Sequence, residues 1–284
     1  MVIVFDGFAY GMLLFLMSAG LSVTLGLMNF VNLAHGVFAM IGAYTALGVM
    51  QGLGSNFYLA LVAAFVVAAI SGAGLEVSLF RRLYRTHPLT QVLFTIGLVF
   101  VVVAIALFWF GPSLRSIHLP AALQGQLDFV GISVGRYRLF LIAMGLVVAL
   151  LLWGLLDYSR IGAMVRAAVD QPEIAAAMGL RVPRLFLSTF TLGAGLAGLG
   201  GALALDWLGM TPDFPLKYMV YFLLVVCLGG AGTLLGPFIA ALLIGIVDVA
   251  GKYYVPDLGG FLIYLLMVLG LIWRPHGLIR LHHT

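Results

Sequence analysis

Charge is what this chain has least of. Only 8% of its 284 residues are Asp, Glu, Lys or Arg, while 63% are hydrophobic. A soluble globular domain carries roughly 25% charged residues. That leaves too little polar surface to wet a water-soluble particle of this size, and a mean hydropathy of +1.18 points the same way. The fold class expected is an all-α, polytopic transmembrane bundle forming one domain over 1–284. Cysteine is nearly absent. Cys227, alone in an apolar run, cannot form an internal disulfide and reads as a small packing residue. There is no basic tract of the kind that binds nucleic acid, and the net charge is a modest +4. The opening MVIVFD lacks the positive region of a cleaved signal, so the first helix is expected to be retained.

Nucleotide and metal chemistry are also missing. The nearest approach to a Walker A loop, GIVDVAGKY, has the wrong glycine spacing, and Tyr253 stands where a magnesium-binding Ser or Thr belongs. Gly193, Gly195 and Gly198 spell G-x-G-x-x-G inside an apolar span with no preceding strand, so close helix packing explains them better than a dinucleotide site. Gly7 with Gly11, and Gly232 with Gly236, read the same way. His35, His87, His118, His276, His282 and His283 have no Cys or carboxylate at ligand spacing, and no metal site is expected. No catalytic triad or carboxylate pair can be drawn from the spacing.

What is present is a series of apolar runs. About 20 apolar residues cross about 30 Å of hydrocarbon. Spans are predicted near 7–26, 32–50, 57–80, 91–110, 138–156, 186–206, 216–230, 236–250 and 259–273, giving eight or nine crossings. The Gly-rich stretches 27–50 and 228–250 are candidates for broken or re-entrant helices, which are tolerated only where protein or water covers the backbone. One set of loops carries Arg81, Arg82, Arg85, Arg160, Arg166, Arg181, Arg184, Arg274 and Arg280. The other carries Arg115, Arg136, Arg138, Lys217 and Lys252. The richer side should be cytoplasmic, leaving the N-terminus outside and the C-terminus inside.

Two loops are long. In the outer loop, 111–137, Gly and Pro punctuation and the alternating FVGISV predict a small β-hairpin. The inner loop, 157–185, holds the densest charge cluster. Ser159 is placed to cap a helix through RIGAMVRAAV, and Asp170 to cap a second, short one. Pro172 fits that helix's first turn, Glu173 suits its positive end, and Gly179 is placed to stop it. From the residues alone, this loop is either a purposeful helix lying along the membrane or a plain amphipathic connector.

Glu76, Asp157, Asp206 and Asp248 fall near span ends, where a carboxylate reaches water cheaply. No acid or base sits plainly at mid-membrane, where ion-coupled carriers usually need one. The polar residues within the spans are uncharged. Asn29, Asn32, His35, Gly36, Tyr44 and Thr45 form the densest group, and Thr95 is a further candidate. On a helix, Asn32, His35 and Gly36 share one face. They either line a substrate path or make interhelical hydrogen bonds, with Asn32 a natural N-cap.

These segments together resemble a known family. LSVTLGLMNFVNLAHGVFAMIGAY (21–44) is similar to the N-terminal signature of permease subunits of branched-chain amino-acid ABC importers. FGPSLRSI (110–117) resembles that family's outer loop, and RAAVDQPEIAAAMGL (166–180) its coupling motif. LGGAGTLLGPFIAALLIG (228–245) and RPHGL (274–278) resemble its late Gly-rich segment and its ending. Ile174 interrupts the E-A-A run after Glu173, and Pro237 stands where a small residue is more usual. The length fits the shorter of two paralogous permeases.

The resemblance implies a non-enzymatic subunit in a bacterial or archaeal cytoplasmic membrane. Its coupling loop would comprise Arg166, Asp170, Glu173, Ala175, Ala176, Gly179 and Arg181 and dock on cytosolic ATPase subunits. Those two subunits would bind ATP and magnesium. A longer permease paralogue would complete the path, and a periplasmic or lipid-anchored binding protein would deliver the substrate. Two rivals fit the bare residues: a self-contained channel or secondary carrier for a small uncharged or zwitterionic solute, and a membrane-embedded enzyme acting on lipid.

Overall fold

The computed structural model describes residues 2–28, 30–52, 56–84, 86–129, 132–230, 234–273 and 277–278. Nine of its helices follow the expected spans: α1 (Val2–Met28), α2 (His35–Gly52), α3 (Phe57–Ser78), α4 (Pro88–Phe110), α5 (Arg136–Asp157), α8 (Val182–Ala204), α9 (Phe214–Gly229), α10 (Leu235–Tyr254) and α11 (Gly259–Trp273). Two shorter helices, α6 (Arg160–Asp170) and α7 (Pro172–Ala177), lie between α5 and α8. Strands β1 (Gln126–Phe129) and β2 (Ile132–Gly135) pair antiparallel, with Leu127 opposite Val134. This is the hairpin expected in the outer loop.

Six helices (α1, α3, α4, α5, α8 and α10) are long and apolar enough to cross a bilayer; α9 and α11 are apolar but shorter. The chain is therefore a multi-pass membrane protein. Its core is organised around α1 and α8. Of the apolar 18-residue stretch of α1, 67% is buried inside the protein, against 17% for that of α4, so α1 is a core helix and α4 a peripheral one. On α4 one face, Gln91, Thr95, Val99, Val103 and Ala106, turns inward, while Leu89, Leu93, Phe100 and Phe108 face out. That apolar exterior suits lipid tails as solvent.

Small residues set the helix contacts. A Cβ on Gly7 would come within 2.6 Å of the Ile246 Cα, and one on Gly11 within 2.8 Å of the Ala241 carbonyl. Gly20 meets Gly193, and Gly42 meets Gly198, backbone against backbone. Lipid tails are as apolar as leucine, so helices associate through such close packing rather than by escaping solvent. The glycine motif in α8 is thus a packing seam. Gly232 lies outside the described residues. Cys227 is exposed on α9 rather than packed.

Helix boundaries follow local chemistry. Asn56 Oδ1 accepts from Leu59 N–H at 3.1 Å and starts α3. Pro88 occupies the first turn of α4 behind a His87 cap. Both Gly-rich stretches interrupt the regular helices. Before α2 the backbone is non-helical from 30 to 34, yet Phe30, Asn32 and Ala34 are fully buried. Gly229, at the end of α9, lies against the backbone of Gly236 and Pro237 at the start of α10. One turn into α10, Phe238 meets the central residue of α1, Phe15, edge to face at 5.2 Å. The start of α10 therefore lies at depth, and the chain's own Leu278 N–H donates to the Leu228 carbonyl near the end of α9 at 2.8 Å. Pro237 falls in the first turn of α10, where its missing N–H is not needed.

Candidate functional site: an interrupted helix and an exposed coupling loop

The polar group before α2 is built around that break. Met17, about three turns inside α1 from its nearer end, offers its carbonyl to His35 Nε2 at 3.0 Å. Residues 30–34 carry backbone N–H groups outside any helix, and α4 supplies acceptors for two of them. Gln91 Oε1 accepts from Val31 N–H at 3.1 Å, and Thr95 Oγ1 from Leu33 N–H at 3.3 Å. Gln91 Nε2 donates back to the Leu83 carbonyl at 3.1 Å, which fixes its orientation. Asn32 Oδ1 accepts from Ala34 N–H at 3.0 Å, and its Nδ2 is buried with no partner among the described residues.

Two expectations are corrected here. Asn32 does not share a helical face with His35 and Gly36, because α2 begins only at His35. Nor does it cap α2: its oxygen closes a turn two residues on, which competes with helix. His35 is 2% exposed and sits edge-on to Phe38 and Phe222. Gly36 lets the start of α9 approach, since a Cβ there would lie 3.0 Å from the Pro215 Cα. Thr95 joins this group through Leu33. Tyr44 and Thr45 do not. Tyr44 stacks on Phe110 at 4.0 Å, well along α2, and Thr45 Oγ1 donates within its own helix to Ile41 at 2.8 Å. Asn29 lies outside the described residues. Sequence reasoning missed Gln91, although a buried-helix glutamine one turn from a proline start is a visible signal.

The buried charges form a second surprise. Asp157 and Asp206 are exposed, as span ends would have it. Glu76 and Asp248 are not: they are 0% and 1% exposed and depend on partners. Arg81 Nη2 lies 3.1 Å from Glu76, and the Tyr84 hydroxyl donates to it at 3.3 Å. Burial, and then the Glu76 charge, push the Tyr84 hydroxyl far above its ordinary pKa, so it stays a donor. Lys252 Nζ lies 2.7 Å from Asp248.

The loop between α5 and α8 is the other candidate. Ser159 Oγ accepts from Gly162 N–H at 3.2 Å and caps α6 as expected. Asp170 does not cap α7. It is the last residue of α6, and Gln171 takes the cap position with φ −144° and ψ 78°. The cause is Pro172, whose ring forces the residue before it out of helical geometry. Glu173 sits in the first turn of α7. The end of α7 is a Schellman closure: Leu180 N–H donates to Ala175 and Gly179 N–H to Ala176, each at 3.0 Å, with Gly179 at φ 88°. Ala175 packs inward, whereas Ile174, Ala176, Met178 and Gly179 are exposed, Met178 at 81%. Arg166 ties α6 to the end of α5, bonding the Leu156 carbonyl and lying 3.7 Å from Asp157. Arg181 stands exposed at the start of α8. Beneath α6 is an apolar crevice of about 260 Å³ lined by Val23, Leu152, Leu156, Val165, Thr189 and Leu192. At the opposite end of the bundle, the hairpin overhangs a polar crevice of about 630 Å³ that includes Arg138 and Asp206.

The chain matches, over residues 3–271, a family model described as the permease component of branched-chain amino acid transport systems. It is 24% identical to the high-affinity branched-chain amino acid transport system permease protein LivH of Escherichia coli K12, covering 97% of this chain and 94% of that protein. It is 27% identical to a probable LivH of Methanocaldococcus jannaschii, with 95% and 89% covered. Against the longer LivM of E. coli K12 the identity is 29%, with 68% of that protein covered, so the length here is that of the shorter paralogue. No solved structure matches. The match to the family model over residues 3–271, on a multi-pass helical bundle, shows that the chain belongs to the permease components of branched-chain amino acid transport systems.

Proposed function

We propose that this chain is the membrane-spanning subunit of an ATP-driven importer, passing branched-chain amino acids or closely related small zwitterions across a cytoplasmic membrane. It pairs with a longer permease paralogue. Two cytosolic ATPase subunits, which bind ATP and magnesium, grip the α6–α7 loop. A soluble or lipid-anchored binding protein presents substrate at the hairpin end. The N-terminus faces out and the C-terminus in.

The observation that carries this reading is α7. It is short, closed by a Schellman turn, and offers Ile174 and Met178 to a partner instead of to its own core. Apolar side chains exposed beyond the membrane on a firmly terminated helix mark a protein contact. Arg160, Arg166, Arg181 and Arg184 lie in and beside this loop, as the positive-inside bias wants for a cytoplasmic face. The polar segment Asn32–Gly36, with Thr95, is the proposed lining of the path.

The test is reconstitution of both permeases with the ATPases in liposomes. Leucine uptake should require the binding protein and ATP and should vanish with an ATPase that binds but cannot hydrolyse. Uptake by this chain alone would refute the reading.

A further inference from the structure

We infer that Asp248, inside a group of tyrosines where α1, α9 and α10 meet, is a subsite for the transported amino acid, which enters by inserting into the Asp248–Lys252 ion pair. The inference rests on the functional reading above and deepens it.

Asp248 is 1% exposed on a helix long and apolar enough to cross the membrane. Burying a carboxylate there is expensive, and an uncharged residue would pack at lower cost. Its Oδ2 holds the Lys252 ammonium at 2.7 Å, and the Tyr221 side chain is a further hydrogen-bonding neighbour of the same carboxylate. Tyr10, Tyr218 and Tyr221 all stand within electrostatic reach of it. The Lys252 ammonium also lies 5.9 Å from the centre of the Tyr10 ring. A carboxylate beside ring faces is a site for an alkylammonium ion, held by charge and by the ring quadrupoles. The site presently holds one, tethered to the same helix.

Its occupant can leave. The Lys252 side chain is 54% exposed at the end of α10, so the pair is open to whatever reaches that end of the bundle. Lys217, likewise exposed, stands 5.7 Å from the Tyr218 ring on the rim of the same group. An α-amino acid carries both charges that the exchange needs. Its ammonium takes the place of Lys252 on Asp248, and its carboxylate meets the released Lys252. Two ion pairs replace one and no buried charge is stranded. An amine or a carboxylic acid alone leaves one partner unmatched.

The test uses the complete reconstituted importer and reads leucine moved per ATP hydrolysed. In D248N/K252M both charges go together, so neither is left unpaired. Leucine moved per ATP is expected to fall by about tenfold or more, the worth of one charge-assisted contact. Unchanged yield and copurification with the ATPases show that the variant importer is assembled. D248K/K252D preserves a salt bridge but puts a cation among the rings, and it should fail as well. Wild-type leucine per ATP in either variant would show the pair to be structural and overturn the subsite alone. If D248N/K252M does not assemble, D248K/K252D carries the same readout. A wild-type importer that moves no leucine with ATP would overturn the functional reading and the subsite together.

Discussion

Replacing Gly179 tests how force enters this protein. Gly179 holds φ 88°, and a Cβ there would meet nothing within 4 Å. The penalty is therefore a backbone one, about 1–2 kcal/mol for an L-residue in the left-handed region. α7 has only six residues, too few to persist as a helix without its closure and its packing. A loss of that size shifts the ordered fraction of the closure by a factor of about 5–30. The two bonds from Gly179 and Leu180 go with it. The helix bundle should not notice, because Gly179 itself is exposed and its added side chain meets no neighbour. Gly179→Val should abolish stimulated ATP hydrolysis in the reconstituted importer while insertion, yield and thermal midpoint stay unchanged. Gly179→Asn should retain much of the activity, since asparagine tolerates this conformation. Full stimulation in the valine variant would refute the claim that α7 must be terminated here to transmit the ATPase stroke.

Gly42→Leu forces apart α2 and α8, where the Gly42 and Gly198 backbones touch; a loss of about 1–3 kcal/mol or more is expected as a lowered midpoint in detergent. Glu76→Ala strips an acceptor from Arg81 and Tyr84 and should cost about 1–3 kcal/mol by the same assay, with Glu76→Gln milder. Thr95→Val leaves the buried Leu33 N–H without its acceptor and should lower stability by about 1–3 kcal/mol, with Thr95→Ser restoring it. A cysteine placed at Arg160 or Arg184, with Cys227 replaced, should react with an impermeant maleimide only when the cytoplasmic face is opened.

Features with local causes were legible in the sequence. The hairpin, the Ser159 cap and the Gly179 stop each depend on a few adjacent residues, and the structure has all three. The spans were legible because apolar runs of that length have few other uses. What escaped was whatever a distant partner decides. Asn32 looked like a cap because a cap is local; its backbone neighbours are instead satisfied by α4, some 60 residues further on. Glu76 and Asp248 looked like surface carboxylates at span ends. Their burial depends on how helices pack, which periodicity does not reveal, although the i, i+4 spacing of Asp248 and Lys252 was on view. Asp170 lost the cap to its neighbour because the constraint from Pro172 acts one residue closer.

The placement of α6 bears on how binding energy at α7 can reach the membrane. Gly162 lies flush against the Leu156 carbonyl, Val165 and Ala168 are buried, and Arg166 is bonded to the end of α5. α6 therefore cannot slide freely over α5, and displacing it must move the adjoining ends of α5 and α8. The crevice of about 260 Å³ under α6 is apolar, so α6 can settle into it without stranding a polar group. Moving a two-state permease from 1:99 to 99:1 takes about 5.5 kcal/mol of differential binding. Under the proposed function, that energy comes from an ATPase that grips one state of α6–α7 better than the other. A disulfide pinning α6 to α5 should then leave substrate binding by the soluble protein intact and stop uptake. Transport persisting with α6 pinned would mean that the stroke enters elsewhere.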